Sequence, residues 1–312
     1  MKKKTWVAIW FLLLFILFIS SFIFIYYLNE FKGVPLRLTS SISFDAKLEF
    51  LKDYSEIKHT EILIVGSSMG LNNINSELLA KNIRNENILN ISSWGLKVDE
   101  IYKLIKILDL KNVKKIIYIN QYFDFYGNNV VKYNEVDFID YLYKDLLVKP
   151  YLKTFKTLNN NYKDYLEWEK RYLNDLKYSS LLFNQFGDVL LNINKDNSNI
   201  NRWKAITKVK SIENNYSHLE ELIIYAQSIN VELYLITTPY RLQFFENNEF
   251  LKHYNEYIQK ILELSNKYNV RYLNLQDRLN LIDEYFADSS HLNYKGSNLV
   301  SLELAKYLNT SK

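Results

Sequence analysis

The 312-residue chain contains no cysteine. This absence excludes disulfide bonds, thiolate metal ligands and a cysteine nucleophile, and it leaves the redox compartment undetermined. Only four histidines are present. They are scattered, and no His-Glu-x-x-His pattern occurs, so nothing in the sequence predicts a metal site. Glycine-rich phosphate-binding motifs are also missing, so we expect no nucleotide and no other cofactor.

A large excess of charge is lacking as well. The formal net charge is +4, and Lys2, Lys3 and Lys4 account for three of these charges, which leaves +1 for the rest of the chain. A protein that binds nucleic acid through its phosphates usually carries a strongly basic surface. The nearly neutral body therefore argues against nucleic acid as a partner.

One long hydrophobic run stands at the N-terminus. Residues 6–28 carry no charge and have aromatic residues at both ends. At ~1.5 Å per residue a helix over this run crosses a ~30 Å hydrocarbon core. The preceding lysines predict a cytoplasmic N-terminus and an extracytoplasmic body, with the chain held in the cytoplasmic membrane by a single pass.

Two alternatives compete with this anchor. A cleavable signal peptide is usually shorter, and no small-x-small cleavage site follows the run. A buried core helix is seldom so uniformly apolar. The predicted organisation is a cytoplasmic tail at 1–4, a transmembrane anchor at 5–28, a linker at 29–44 and one domain at 45–312.

The domain alternates apolar strands with amphipathic helices, a pattern typical of a parallel α/β sheet with right-handed crossovers. The predicted strands cover residues 61–65, 87–91, 115–119, 231–236 and 270–275. Helices are predicted at 76–83, 98–110, 217–229, 250–268 and 294–308. Five strands in this order favour a flavodoxin-like three-layer sandwich. Residues 127–215 are too long for one crossover and predict a largely helical insertion, with helices at 138–147 and 161–182, over the active-site face.

Two serines come directly after the first predicted strand and its glycine. Ser67 and Ser68 stand after Gly66, and a helix is expected to begin within a few residues. The carboxyl ends of parallel strands converge on one crevice, and helix N-termini favour negative charge. The position is therefore suited to a nucleophile, although two serines in a turn also have a purely structural explanation.

Near the other end of the chain stand Asp288 and His291. A serine hydroxyl needs a base that removes its proton, and the base needs a carboxylate that holds its tautomer. Residues three apart on one turn bring their side chains together. Asp288 can therefore orient His291 while the second ring nitrogen faces a serine.

Taken together, these two segments resemble the SGNH (GDSL-like) hydrolase superfamily. In that family the serine of a Gly-Asp-Ser block follows the first strand, and the last block is Asp-x-x-His. The resemblance implies that Ser68 is the nucleophile, His291 the base and Asp288 its orienting acid. Ser67 then replaces the usual aspartate.

The two middle blocks of the family supply oxyanion donors. The resemblance implies Gly95 for the second block. The third, usually Gly-x-Asn-Asp, corresponds to residues 118–121, which lack its glycine and second aspartate. Asn120 and Gln121 are both candidates for this donor.

Further polar residues are predicted close to the same crevice. Asp124 lies within the aromatic run 122–126 and is an alternative carboxylate. Arg241 follows the fourth strand and either binds an anionic substrate or forms a salt bridge. The candidate substrate contacts are Ser67, Gln121, Asp124 and Arg241.

The resemblance implies a serine esterase or O-acyltransferase anchored in the membrane. Anchored relatives often add acyl groups to, or remove them from, cell-envelope polysaccharide beside a polytopic membrane acyltransferase. The alternative is a catalytically silent glycan-binding or assembly partner with the same fold. Residues 66–70 also satisfy the Gly-x-Ser-x-Gly elbow of α/β-hydrolases, but that elbow normally follows several strands and a glycine-rich loop.

Overall fold

A computed structural model describes residues 3–32, 34–84, 87–126, 131–144, 148–157, 182–193 and 213–310, together with Lys163 and Leu166. The chain forms two compact units. The first contains Met1–Lys52 and Lys132–Lys170, and the second contains Asp53–Val131 and Arg171–Lys312. This division puts the first part of the predicted insertion in the same unit as the anchor helix.

In its described residues the first unit contains helices and no strand. Its helices are α1 (Lys3–Lys32), α2 (Ile42–Asp53, whose last residue opens the second unit), α6 (Glu135–Tyr143) and α7 (Val148–Lys156). α1 includes a segment, Lys3–Glu30, that is long and apolar enough to cross a membrane. Its residues from Lys3 to Ser20 are exposed on every side, whereas Ile25 and Leu28 are buried within the unit.

A short segment after α1 connects it to α2. The predicted linker begins inside α1, and the residues that follow are held by Asp45 of α2. One carboxylate oxygen of Asp45 accepts hydrogen bonds from the backbone N–H groups of Leu38 (3.1 Å) and Thr39 (2.6 Å). Burial raises the pKa of Asp45 to about 7, against the opposing charge of Arg37. The segment is therefore part of the packed unit rather than a free tether.

The second unit is built on a five-stranded parallel sheet with the order β2-β1-β3-β4-β5. The strands are β1 (Ile62–Gly66), β2 (Ile88–Asn90), β3 (Lys115–Asn120), β4 (Glu232–Thr237) and β5 (Arg271–Asn274). The helices are α3 (Ser68–Asn73), α4 (Ser76–Ile83), α5 (Val98–Leu108), α8 (Glu213–Ser228), α9 (Asn248–Tyr268), α10 (Leu275–Arg278) and α11 (Tyr294–Thr310). Short 3₁₀ helices cover Ser55–His59, Tyr122–Phe125, Leu242–Glu246 and Asp283–Tyr285.

The direction of the crossovers places helices on both faces of the sheet. From β1 the chain moves to one side to form β2, then back past β1 to form β3, so right-handed crossovers put α4 and α5 on opposite faces. α4 packs with α11, and α5 packs with α8. The central strands β1 and β3 are apolar and buried almost throughout, as expected when both faces are covered. The predicted flavodoxin-like three-layer sandwich is confirmed.

The predicted boundaries mostly agree with the structure to within a few residues. α4 has the predicted bounds, and Asn75 caps it by accepting a hydrogen bond from the N–H of Leu78 (3.0 Å). The separate short helix α3 was not predicted. It begins at Ser68 itself, so the nucleophile candidate occupies the first helical position.

The structure describes only part of the predicted insertion at 127–215. α6 and α7 are helical, as expected for its first part, and α6 ends at Tyr143, before the predicted end at 147. Residues 182–193 contain no helix and run beside β2 and α3, where the Asn90 N–H donates to the Phe186 carbonyl (2.8 Å). The predicted helix at 161–182 lies outside the described residues except for Lys163, Leu166 and Leu182.

Candidate active site

The turn between β1 and α3 places two serines at the carboxyl end of the sheet. Gly66 pairs with Ile119 of β3, and a Cβ at Gly66 would lie only 2.5 Å from the Ile119 carbonyl oxygen. Only glycine therefore permits this close approach. Ser67 is the N-cap residue of α3 and is buried, while Ser68 is half-buried at the first helical position.

Asp288, His291 and Ser68 form one hydrogen-bonded chain. His291 Nδ1 lies 2.8 Å from Asp288 Oδ2, and His291 Nε2 lies 2.8 Å from Ser68 Oγ. When the Asp288 carboxylate is ionised, the proton of the neutral imidazole lies on Nδ1, which donates a hydrogen bond to Asp288. Nε2 is then unprotonated and accepts a hydrogen bond from the Ser68 hydroxyl. The structure thus brings together three residues that lie up to 223 positions apart.

The loop that carries His291 is held by the backbone around it. Asp288 is fully buried, and its Oδ1 accepts the N–H groups of Ser290 (2.8 Å) and His291 (2.7 Å). The N–H of Leu292 donates to Asn73 Oδ1 in α3 (2.9 Å). The loop is therefore tied to the same short helix that carries Ser68, which fixes His291 relative to Ser68.

Trp94 covers one face of the imidazole. The two rings are parallel within 2°, and their centroids are 5.5 Å apart. Trp94 Nε1 donates to Asn72 Oδ1 (2.9 Å), so the indole is itself held from α3. Stacking of this kind restricts the rotation of the His291 ring.

Residues 182–193 pack against Trp94 and so support its stack on His291. Leu191 and Ile193 form a buried cluster with Ala287, and Trp94 packs against it. Asn72 donates to the carbonyl of Val189 (2.7 Å). The same segment also carries a fully buried carboxylate, Asp188.

Asp188 holds the start of α4 in place. It accepts hydrogen bonds from the Ser76 N–H (2.8 Å), the Ser76 hydroxyl (2.6 Å) and the Asn90 amide (2.8 Å). Burial raises its pKa, and these hydrogen bonds oppose that effect. Sequence reasoning missed Trp94, Asn72 and Asp188, although Trp94 stands next to the predicted Gly95.

Gly95 lies in an exposed turn with φ +79°, a conformation that favours glycine. Its N–H makes no hydrogen bond to any residue in the described part of the chain. The N–H of Ser68 stands at the first turn of α3, where a helix leaves its N–H groups unpaired. Both groups remain candidates for an oxyanion donor.

Asn120, a sequence candidate for an oxyanion donor, has a side chain that is bonded within the protein. Its side chain is fully buried, and Oδ1 accepts hydrogen bonds from Thr237 Oγ1 (3.0 Å) and from the Tyr257 hydroxyl. Its amide donates back to the Tyr118 carbonyl (3.3 Å). Side chains alternate along a strand, so Asn120 faces β4 and α9 while the next residue, Gln121, faces the Ser67 turn.

Ser67, Gln121 and Asp124 form a buried network of their own. Gln121 Nε2 donates to Ser67 Oγ (2.9 Å) and to Asp124 Oδ1 (3.1 Å), and the Ser67 hydroxyl also bonds to Asp124. Burial raises the pKa of Asp124 to about 6, opposed by the charge of Lys97 and by these hydrogen bonds. These polar groups are bonded to each other, so the network holds the turn on which Ser67 stands.

Lys97 is a half-buried cation whose charge acts on Asp124 in this network. It donates to the carbonyl oxygens of Phe123 (2.6 Å) and Tyr126 (3.0 Å), which fastens the 3₁₀ helix that contains Asp124. Burial lowers its pKa, and the charge of Asp124 acts against that effect. Asp124, the alternative carboxylate, therefore interacts with the positive charge of Lys97 and belongs to a different hydrogen-bonded network from Asp288.

Arg241 is almost fully buried and pairs with Asp283. Its Nε and Nη2 donate to the two carboxylate oxygens at 2.9 and 2.6 Å. This two-point ion pair commits the guanidinium and favours the salt-bridge alternative over an anion-binding role. Among the described residues no group of three or more His, Asp or Glu side chains is placed to hold a metal ion.

Solved structures of other proteins resemble this chain. An acetyl xylan esterase, AlAXEase, matches with a TM-score of 0.41 and 11% identity over 80% of this chain and 98% of its own. A lipase/acylhydrolase from Enterococcus faecalis matches with a TM-score of 0.43 and 9% identity over 81% of this chain and 96% of its own. No protein-family model and no curated protein sequence matches the chain.

Proposed function

We propose that the protein is a serine acyl-transfer enzyme of the SGNH type. The observation that carries this proposal is the continuous hydrogen-bonded chain from Asp288 through His291 to Ser68. Ser68 attacks the carbonyl carbon of an ester, and His291 takes the hydroxyl proton at Nε2. His291 then returns that proton to the leaving alkoxide, and an acyl group remains on Ser68.

The second half-reaction uses the same groups in reverse. His291 removes a proton from water or from an acceptor hydroxyl, and the oxygen of that group attacks the carbonyl carbon of the acyl-enzyme. The bond from the acyl group to Ser68 Oγ breaks, and His291 returns the proton to Ser68 Oγ. The backbone N–H groups of Ser68 and Gly95 are the proposed donors to the oxyanion in both steps. Because the chemistry is the same for water and for an alcohol, the acceptor decides between esterase and transferase.

For the substrate we propose acyl esters of cell-envelope polysaccharide, with an acetyl group as the leading candidate. The support is α1, which is long and apolar enough to cross a membrane and follows a run of lysines. A catalytic unit held at the outer surface of the cytoplasmic membrane meets envelope polymers. A polytopic membrane acyltransferase that supplies acyl groups is the proposed partner.

A catalytically silent binding protein is the second candidate. It is favoured by one observation, the orientation of Asn120 toward Tyr257, which leaves the third block without a side-chain donor. In that case the fold would bind glycan or an assembly partner without forming an acyl-enzyme.

The decisive experiment uses the full-length chain in detergent micelles. Wild type is incubated with p-nitrophenyl acetate and separately with a fluorophosphonate, beside Ser68→Ala and His291→Ala. We expect nitrophenol release and labelling of Ser68 in wild type alone. Signals that do not depend on either residue would support the silent binding protein.

A second assay separates hydrolysis from transfer. Oligosaccharide acceptors are added to the p-nitrophenyl acetate reaction, and the products are analysed by mass spectrometry. Ser68-dependent O-acetylated sugar indicates a transferase, whereas free acetate with no sugar product indicates an esterase.

A further inference from the structure

The first unit contains a second helix, α7, that packs directly on α1. The ring of Phe155 in α7 lies 5.4 Å from Phe18 and 6.0 Å from Phe22, and the ring of Tyr151 lies 6.0 Å from Phe22. Both α1 residues belong to the apolar segment Lys3–Glu30. These ring contacts fasten α7 to the part of α1 that is suited to lipid.

The length of α1 shows how deep this contact lies. If the hydrocarbon layer begins at Trp6, a rise of ~1.5 Å per residue puts Phe18 about 18 Å and Phe22 about 24 Å along the helix axis. A hydrocarbon core is ~30 Å thick, so both rings lie within it, toward the carboxyl end of α1. Amphipathic helices at a membrane surface lie ~5–10 Å below the headgroup boundary, which is close to this level.

One side of α7 is covered by protein. Thr154 is buried, and its Oγ1 accepts a hydrogen bond from the Arg37 N–H (2.9 Å), while Lys153 donates to the Leu38 carbonyl. These contacts attach α7 to the segment that leads out of α1.

The opposite side of α7 is exposed at its described side chains. Leu152 stands two residues before Thr154, about 200° around the helix, so it points away from that segment. Its side chain is 37% exposed, and Lys156, one turn further on the same side, is exposed as well. This side thus combines an apolar side chain with a flexible amine that reaches toward phosphate.

We propose that α7 lies in the interface of the bilayer that α1 crosses, with Leu152 at the acyl-chain boundary and Lys156 among the phosphates of anionic lipids. The inference rests on the proposed transmembrane role of α1. It gives the first unit two contacts with the membrane. One helix crosses the bilayer, and the second, short helix lies in its surface and limits tilt and rotation of the first.

The absence of cysteine in the chain allows a direct test. Leu14→Cys in α1, Leu152→Cys in α7 and Ile224→Cys in α8 each replace an exposed apolar residue. The full-length variants are labelled with an environment-sensitive fluorophore and placed in nanodiscs that contain phosphatidylglycerol, with and without nitroxide-bearing lipid. We expect the nitroxide to quench the labels at Leu14 and Leu152 and to leave the label at Ile224 unchanged.

Nitroxides at two depths sharpen the result. We expect a nitroxide near the headgroup to quench the label at Leu152 more strongly than a nitroxide near the end of the acyl chain does. For the label at Leu14 we expect the opposite order. If the Leu152 label behaves like Ile224 while Leu14 is quenched, α7 lies in water and this inference is wrong, although the anchor stands. If neither label is quenched, the transmembrane role of α1 fails too. A blue-shifted Leu152 label that lipid nitroxides do not quench would indicate contact with protein and would also overturn the inference.

Discussion

Ser67 and Ser68 are neighbours in the chain, yet they enter two different polar systems. Ser68 is half-buried and meets the imidazole of His291, which is backed by Asp288. Ser67 is buried and bonds to Gln121 and Asp124. Both serines thus have a carboxylate in their network, but only Ser68 has a base between itself and the carboxylate.

This difference shows what makes a hydroxyl reactive. A carboxylate in direct contact with a serine is a weak base, and here it is enclosed and close to Lys97. An imidazole with a fixed tautomer removes the proton at neutral pH and returns it later. The buried network instead stabilises the turn on which Ser68 stands.

The largest expected effect comes from exchanging the two serines for alanine in separate variants. Ser68→Ala should lower kcat/KM for p-nitrophenyl acetate by about 10⁵-fold, because the nucleophile is lost. Ser67→Ala should lower it by less than about tenfold and cost about 1–3 kcal/mol of stability, because two buried polar partners lose a hydrogen bond. Equal losses of activity in the two variants would contradict the division of roles.

Asp288→Asn tests the carboxylate behind His291. The amide would place an N–H₂ group against at least one of the N–H donors that now bond to the carboxylate, and it would favour the wrong tautomer of the imidazole. We expect kcat to fall by about 10³–10⁴-fold. The measurement is the pre-steady-state rate of acylation, with circular dichroism as the control for folding. Activity within tenfold of wild type would remove Asp288 from the mechanism.

Asp124→Asn tests the buried network by its pH dependence. The folded-state pKa of Asp124 is raised to about 6, above the ~3.9 of an unfolded chain. Between these values the folded state holds a proton that the unfolded state has released, so this carboxyl reduces stability as pH rises from about 4 to about 6. Asparagine does not ionise, so the stability of the variant relative to wild type should increase by on the order of 2 kcal/mol over this range. Urea unfolding at a series of pH values measures the difference, and parallel curves for the two proteins would refute the assignment.

Trp94 gives the smallest expected effect. Trp94→Leu removes the aromatic face from His291 and should lower kcat/KM by about tenfold, from the ~1–2 kcal/mol of an aromatic–cation contact. Trp94→Phe keeps a ring in place and should retain most of the wild-type kcat/KM. Wild-type rates in the leucine variant would show that the stack has no role in positioning His291.

Much of the architecture was predictable because the information is local. The β-branched apolar runs, the helical periodicity and the cap at Asn75 are each contained in a few consecutive residues, and five alternating strands leave few topologies. The same holds for the junction that carries Ser68 and for the short segment that carries Asp288 and His291. These segments were sufficient to predict which strand ends meet at one edge of the sheet.

The direction and partner of each side chain were decided only in three dimensions. Asn120 and Gln121 are adjacent and both polar, and alternation along β3 sends one to Tyr257 and the other to Ser67. The stack of Trp94 on His291 joins residues almost 200 positions apart, and no local pattern encodes such a contact. Local sequence preference thus determined the helices and strands and their order. The packing of distant segments decided which serine lies against the imidazole, because a buried polar side chain is stable only where the whole fold provides a hydrogen-bonding partner.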